Sequence, residues 1–233
     1  MLVTLKIILK IAEAKKCAVG SFNTPNLASI KAVISAAEEM NQPVIIMHAQ
    51  VHEEMGLCTM DEIAPIMLFM ADRASVPVCV HLDHGTDMDY VKKGLDLGFT
   101  SVMYDGSELS KEENYANTAV MVEAAARYGA SVEAEIGSMG ARESGNGGGE
   151  SIYTDPAEAE SFARESGVSH EDYRKVIELG IRKINYYTYM AKAGGTAVVN
   201  MEDKTFYHDI ETVAIAAMKE NVKIAVDVFQ MSE

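Results

Sequence analysis

Residues 77–85 read PVCVHLDHG, a short apolar run that ends in three ionisable groups within four positions. The run is rich in valine with little polar alternation, the pattern of a strand buried on both faces. Five further stretches share that pattern: Cys17–Ser21, Pro43–His48, Ser101–Tyr104, Ser131–Ile136 and Arg182–Tyr186. Amphipathic stretches between them predict helices over Asn26–Asn41, Asp61–Ser75, Met88–Leu97, Lys111–Tyr128 and Asp155–Ser166. The last of these follows Thr154-Asp155-Pro156, a helix-start signal with proline pre-set for the first turn. Strand then helix, repeated about every 25–30 residues, means parallel βαβ units. At that period an (α/β)8 barrel of ~250 residues fits better than an open sheet. No GxGxxG follows the first strand, so a dinucleotide-binding fold loses its main support.

The pattern breaks once. After the helix ending near Ser166, HEDYRKVIEL (His170–Leu179) already reads as another helix, with no strand between. A parallel α/β sheet cannot place two successive crossover helices without a returning strand. The expectation is therefore one TIM (β/α)8 barrel domain over residues 1–233, with about one βαβ unit, strands 6 and 7, absent near Gly167–Ser169. Lys204–Asn221 reads as helix, and Lys223–Phe229 as a weak extra strand or a tail.

The chain has 233 residues, 48% apolar and 24% charged, with 35 acidic against 20 basic side chains, so it is neither disordered nor of low complexity. A net charge of −15 argues against nucleic acid or an anionic membrane as the main partner, since both want a basic face. The opening MLVTLKIILKIAEAKK intersperses lysines among its apolar residues and lacks the features of a signal peptide, and no stretch is long enough to span a bilayer. A cytoplasmic protein is expected. Cys17, Cys58 and Cys79 have no paired spacing and read as buried free thiols.

In such folds functional residues collect where strands end and βα loops begin. Asn23, in GSFNTPN, reads either as a turn residue or as a ligand-binding amide, and Asn26 as the helix N-cap. Period two puts His81 and Asp83 on one face, with His84 turned the other way or starting the loop. The cluster is either a set of hydrogen-bonded loop groups or a site, in which neutral imidazole would bind metal and a carboxylate would act as base. Glu133 and Glu135 share one face of a strand that should be buried, so a cation or an arginine is expected beside them. A structural salt bridge would answer equally well. Gly140–Glu150 is a long polar, glycine-rich loop, mobile or liganded. Asn185 and Thr188 close the last strand, before a helix whose N–H groups could hold an anion.

These pieces resemble the class II, metal-dependent fructose-bisphosphate and tagatose-bisphosphate aldolases. The matching segments are AVGSFNTPNLASIKAVISAAEE, PVCVHLDHGTDMDYVKKGLDLGFTSVMYDGS, SVEAEIGSMG, IYTDPAEAESF and ELGIRKIN, in the family's order over most of Lys16–Asn185. The resemblance implies zinc-dependent, reversible aldol cleavage of a ketose 1,6-bisphosphate, with fructose 1,6-bisphosphate foremost, to dihydroxyacetone phosphate and glyceraldehyde 3-phosphate. It implies Asp83 as catalytic acid/base and His84 as a zinc ligand. Asp105 and Glu135 match acidic positions of a second or alternative metal position, for a divalent or a monovalent cation. Asn23, Asn185 and Thr188 match substrate-binding positions. A phosphorylated sugar is the implied partner, and a homo-oligomer, dimer or tetramer, is expected.

Three departures stand out. The family's other two zinc histidines lie in GT-x-HG and HGGSG motifs on the sixth and seventh strands, and neither motif occurs here. Those are the strands missing from the periodicity. KIN runs on into Tyr186-Tyr187-Thr188-Tyr189 where many members carry acidic or amide groups. His48-Ala49-Gln50-Val51-His52 stands where a small serine-containing turn is common, and His48 and His52 read either as local substrate contacts or as ordinary loop histidines. If the 233 residues are the whole protein, a non-catalytic degenerate barrel is the rival expectation, since His84 alone cannot hold a catalytic zinc. Lysine is scarce at the ends of interior strands; Lys183 opens its strand at the opposite end, which favours metal over imine chemistry.

Overall fold

A computed structural model describes residues 1–135, 170–202 and 205–230, with the side chains of 170–172 left aside. Among the described residues seven strands form one sheet: β1 (Leu2–Val3), β2 (Val19–Asn23), β3 (Val44–Ala49), β4 (Val78–Gly85), β5 (Ser101–Tyr104), β6 (Ser131–Ala134) and β7 (Lys183–Tyr186). Every pairing is parallel, in the order β6-β5-β4-β3-β2-β7, with the short β1 also pairing β4. The helices are α1 (Leu5–Lys15), α2 (Leu27–Met40), α3 (Gln50–Glu54), α4 (Met60–Arg73), α5 (Met88–Asp96), α6 (Lys111–Tyr128), α7 (His170–Glu178), α8 (Thr188–Val199) and α9 (Tyr207–Phe229).

Strand alternation divides the core in two. Phe22, Val44, Ile46, Val78, Val80, Leu82 and Val102 point outward into a core shared with the helices. Val19, Ile45, Met47 and Cys79 point inward and meet Leu5, Ile8 and Ala12 of α1, which plugs the N-terminal end of the sheet. Period two therefore carries Ser21, Asn23, Ala49, His81, Asp83, Glu133 and Asn185 to the inner face above that plug. The sheet is a curled half-barrel. Its outermost strands touch across the hollow, where Lys183 Nζ on β7 lies 3.0 Å from Glu133 Oε2 on β6.

Local signals act as their chemistry requires. Asn26 caps α2 by accepting from Ser29 N–H, and Ser29 reciprocates as a capping box. Thr59 with Glu62 and Ser110 with Glu113 do the same for α4 and α6. Cys17 and Cys79 are buried free thiols and Cys58 is half-buried.

The sequence reading needs several corrections. Lys223–Phe229 is helix, not strand or tail: it extends α9, because Val222, Ala225, Val226 and Phe229 recur at helical spacing and are buried. The main chain at Phe229 still serves the sheet, its carbonyl accepting from Ala18 N–H at 2.9 Å. Gly194 of α8 allows the close α8–α9 crossing, since a Cβ there would lie 2.9 Å from Met218 Cγ. The first full strand runs Val19–Asn23 rather than Cys17–Ser21, which brings Asn23 into the sheet. His48 and His52 are not loop histidines: they lie in β3 and α3 and are buried. The Asp155–Ser166 helix, the Gly140–Glu150 loop and the Gly167–Ser169 junction lie outside the described residues.

Candidate active site

The C-terminal ends of β4, β5 and β6 converge on one cluster. β4 continues through Gly85, so the whole HLDHG motif belongs to the strand and its exit. At His84 the backbone turns left-handed, with φ of 45°, and the β4–β5 register shifts between Leu82 and Gly85. An irregularity of this kind re-aims a side chain. The expectation that His84 turns away from Asp83's side fails for this reason. His84 Nδ1 lies 2.9 Å from Asp105 Oδ2 and 3.4 Å from Glu135 Oε2. Asp105 is fixed in turn by Ser107, whose N–H and Oγ both donate to Oδ1 at 3.1 and 2.6 Å.

His84, Asp105 and Glu135 each offer one ligand atom, and these atoms lie within 4.8 Å of one another. Bonds of about 2.0–2.2 Å to a tetrahedral zinc put neighbouring donors about 3.3 Å apart. Small side-chain movements would close the trio on an ion, so the residues fit one. Electrostatics favour it too. Asp83, Asp105, Glu133 and Glu135 crowd the inner face against the positive charges of His84 and Lys183. Burial, then the Asp105 carboxylate, push Glu135 up to about 7. Burial works against charge on His84 as well, but the Asp105 hydrogen bond and the Asp83 and Glu135 charges prevail and lift it to about 10. A proton thus sits where a cation would do the same work.

Asp83 is fully buried beside this trio. Burial alone would raise its pKa; His84 and Lys183 outweigh that and hold it below the ordinary aspartate value. Its Oδ1 faces Asn185 Nδ2 at 3.5 Å, and its Oδ2 is buried with no hydrogen-bond partner among the described residues. Asn23 sits 3% exposed at the end of β2, inward-facing. Thr188 opens α8 three residues after Asn185. The structure brings Asp83, His84, Asp105, Glu135 and Asn185 together; Asn23 and Thr188 stand at neighbouring strand ends.

Residues 3–169 and 165–233 match the family model described as fructose-bisphosphate aldolase class-II, in two pieces that meet at 165–169. The chain belongs to the class II fructose-bisphosphate aldolase family. A fructose-bisphosphate aldolase of Staphylococcus aureus is 33% identical over 194 residues, 78% of this chain and 68% of that protein. The sulfofructosephosphate aldolase of Alkalicoccus urumqiensis is 34% identical over 212 residues, 90% of this chain and 67% of that protein. The crystal structure of the YdjI aldolase from Escherichia coli K12 superposes with a TM-score of 0.82 at 28% identity, covering 98% of this chain and 97% of that one.

Class II aldolases are lyases, generally metal-dependent, acting on phosphorylated sugars, and the site has the groups for such work. Lys183 and His52 border this site beyond the residues assigned to it above, and His48 stands apart from it. Lys183 does open β7, yet its long stem carries the ammonium inward to Glu133 and to Asn185 Oδ1 at 2.8 Å. It is the cation expected beside the glutamates of β6, of which Glu133 is half-buried. His52 lies against the rim, with Nδ1 accepting from Ala49 N–H at 3.2 Å and its ring 6.1 Å from that of Tyr187. His48 bonds outward to Tyr90 Oη at 3.1 Å, away from the inner face. Alternation along VIIMHA marks the last, and the same alternation along KIN puts Lys183 on the face of Asn185; no sequence signal marks His52.

Proposed function

We propose that the protein carries out zinc-dependent, reversible aldol cleavage of a ketose 1,6-bisphosphate, fructose 1,6-bisphosphate foremost, to dihydroxyacetone phosphate and glyceraldehyde 3-phosphate. The observation that carries this is Asp83, buried with one carboxylate oxygen that has no hydrogen-bond partner among the described residues, directly beside the His84–Asp105–Glu135 trio at the sheet's C-terminal ends. Zinc would be held by His84, with Asp105 and Glu135 as alternative or second-ion ligands, and would supply Lewis-acid polarisation of the ketose carbonyl. Asp83 Oδ2 takes the proton from the C4 hydroxyl as the C3–C4 bond breaks, and returns it in the condensation direction. Asn185 holds the carboxylate through Oδ1, and Asn23, Asn185 and Thr188 contact the substrate. The enzyme works as a cytoplasmic homo-oligomer.

About one βαβ unit belongs between β6 and β7, in a segment that the 233 residues lack, with the family's two remaining histidine ligands on it. The strand periodicity, the strand order and the two family-model pieces meeting at 165–169 support that reading. An intact mass of 25.3 kDa for the protein purified from its source would reject it; several kilodaltons more is expected.

The sulfofructosephosphate aldolase relative spans more of this chain than the S. aureus enzyme does, so a sulfofructosephosphate is the second substrate to try. The deciding assay incubates the zinc-loaded protein with fructose 1,6-bisphosphate, tagatose 1,6-bisphosphate or a sulfofructosephosphate and detects dihydroxyacetone phosphate. Release from one of them is expected. Silence with all three, from protein shown to hold zinc, would overturn the aldolase reading.

A further inference from the structure

We propose that Lys183 is a positioning residue for aldol cleavage, locking the Asn185 carboxamide so that its nitrogen faces the Asp83 carboxylate. The proposal rests on the aldolase reading above and adds a residue to it. An ammonium has three donors and no acceptor. Lys183 donates to Glu133 Oε1 at 3.1 Å and to Asn185 Oδ1 at 2.8 Å, and its nitrogen also lies 3.0 Å from Glu133 Oε2 as an ion pair. The amide end turned to Lys183 must therefore be its oxygen. Its Nδ2 is left to face Asp83 Oδ1, at 3.5 Å. With Oδ1 held, Oδ2 is the oxygen left to move a proton. Without the ammonium, the exposed Asn185 side chain keeps only the long 3.5 Å contact to Asp83 and is free to swing away from it.

Glu133 is the other half of the device. It anchors the ammonium by accepting at Oε1, and its Oε2, paired ionically with the ammonium at 3.0 Å, lies 3.3 Å from His81 Nε2. His81 is fully buried and bonds through Nδ1 to Ser101 Oγ at 2.8 Å. Lysine, glutamate, histidine and serine thus form one layer across β7, β6, β4 and β5, directly under Asp83. Binding of substrate through Asn185 alone would not need this layer. Holding a base at fixed geometry would, because a misplacement of about 1 Å can cost ~10²-fold in rate.

The test compares Lys183→Met and Lys183→Arg with the wild type, at equal zinc content and after thermal melts confirm folding. Lys183→Met should lower kcat ~10²-fold with KM within about threefold, and Lys183→Arg should recover at least ~10-fold of that loss. A merely structural lysine would lower the melting temperature and leave kcat per folded, zinc-loaded molecule within threefold; that result overturns the proposal. If Lys183→Met fails to fold, Glu133→Gln replaces it, keeping volume while weakening the ammonium's anchor. A fall in kcat of ~10-fold or more is then expected, and an unchanged kcat again overturns it. Should the wild type cleave no ketose phosphate, the aldolase reading fails, and the lock is judged by crystal structure alone. In Lys183→Met, or in Glu133→Gln, Asn185 Nδ2 should move at least ~1 Å from Asp83; an unmoved amide rejects the lock.

Discussion

His84 and Asp105 meet at 2.9 Å, although one closes β4 and the other lies just past the end of β5. The contact depends on how tightly those strands run together. Gly85 N-terminal to the α5 turn has no side chain, and a Cβ there would lie 2.5 Å from Val91 Cγ2 and 3.1 Å from the Met103 carbonyl oxygen. Glycine at 85 and the left-handed turn at 84 together let the imidazole swing towards Asp105 and Glu135 rather than into solvent. The sequence motif LDHG is thus a geometric device as well as a set of chemical groups.

Losing a member of that trio should weaken cation binding before it harms the fold. Asp105→Asn keeps the volume and removes the charge, and a loss of ~10–100-fold in zinc affinity is expected. His84→Ala should cost more, since it removes the nitrogen donor. Competition titration against a chromogenic chelator reads both. Wild-type affinity in His84→Ala would show that the ion sits elsewhere, and wild-type affinity in Asp105→Asn would remove Asp105 from its ligands.

Asp83→Ala should abolish cleavage while zinc content stays near the wild-type value. The residue moves a proton and does not anchor the ion, and general acid/base groups contribute at least ~10²-fold. Metal analysis beside steady-state kinetics separates the two effects. Retained turnover would sink the assignment of Asp83 as the base.

Much of this was readable from residues alone, and the failures have physical causes. Valine-rich runs such as PVCV gave parallel strands because burial on both faces leaves one composition. The pairs His81/Asp83 and Glu133/Glu135 gave an inner face because the strand period is two. His84 was misplaced because that period does not anticipate a left-handed residue and a register shift. Lys183 was dismissed because its Cα position says little about a side chain of four methylenes. His48 closes the expected Pro43–His48 strand, but nothing in the polar AQVHEE that follows announces the short helix α3 that buries His52. Lys223–Phe229 misled because a short, β-branched run reads alike as strand or buried helix.

Chelation should silence the enzyme and borohydride should not. EDTA is expected to remove activity and added zinc to restore it, whereas reduction in the presence of dihydroxyacetone phosphate should leave no adduct. Imine chemistry would need a lysine amine free to attack, and the Lys183 ammonium already donates to Glu133 and Asn185. A mass increase from a reduced dihydroxyacetone phosphate adduct on Lys183 would overturn the class II mechanism.

Acid should destabilise the protein through His48, a group far from the metal trio in role. His48 is fully buried on the outer face of β3, against Tyr90 and Cys58. Tyr90 Oη donates to Glu53 Oε2 at 3.0 Å, so it accepts from His48 Nε2–H, which fixes the neutral tautomer. Burial first, and His52 second, push His48 down to about 4, with Glu53 opposing. Between pH 4 and 6.5 the unfolded chain therefore holds a proton here that the folded one refuses. Stability is fully present above about pH 6.5 and is lost as pH falls towards 4, by up to about 1.4 kcal/mol per pH unit from this one group. His48→Gln keeps a donor for Tyr90 and removes the titration. Urea melts at pH 4.5, 5.5 and 6.5 should show a shallower loss in the variant than in the wild type, even if the variant is less stable at neutral pH. Parallel curves would mean that His48 does not carry the acid sensitivity.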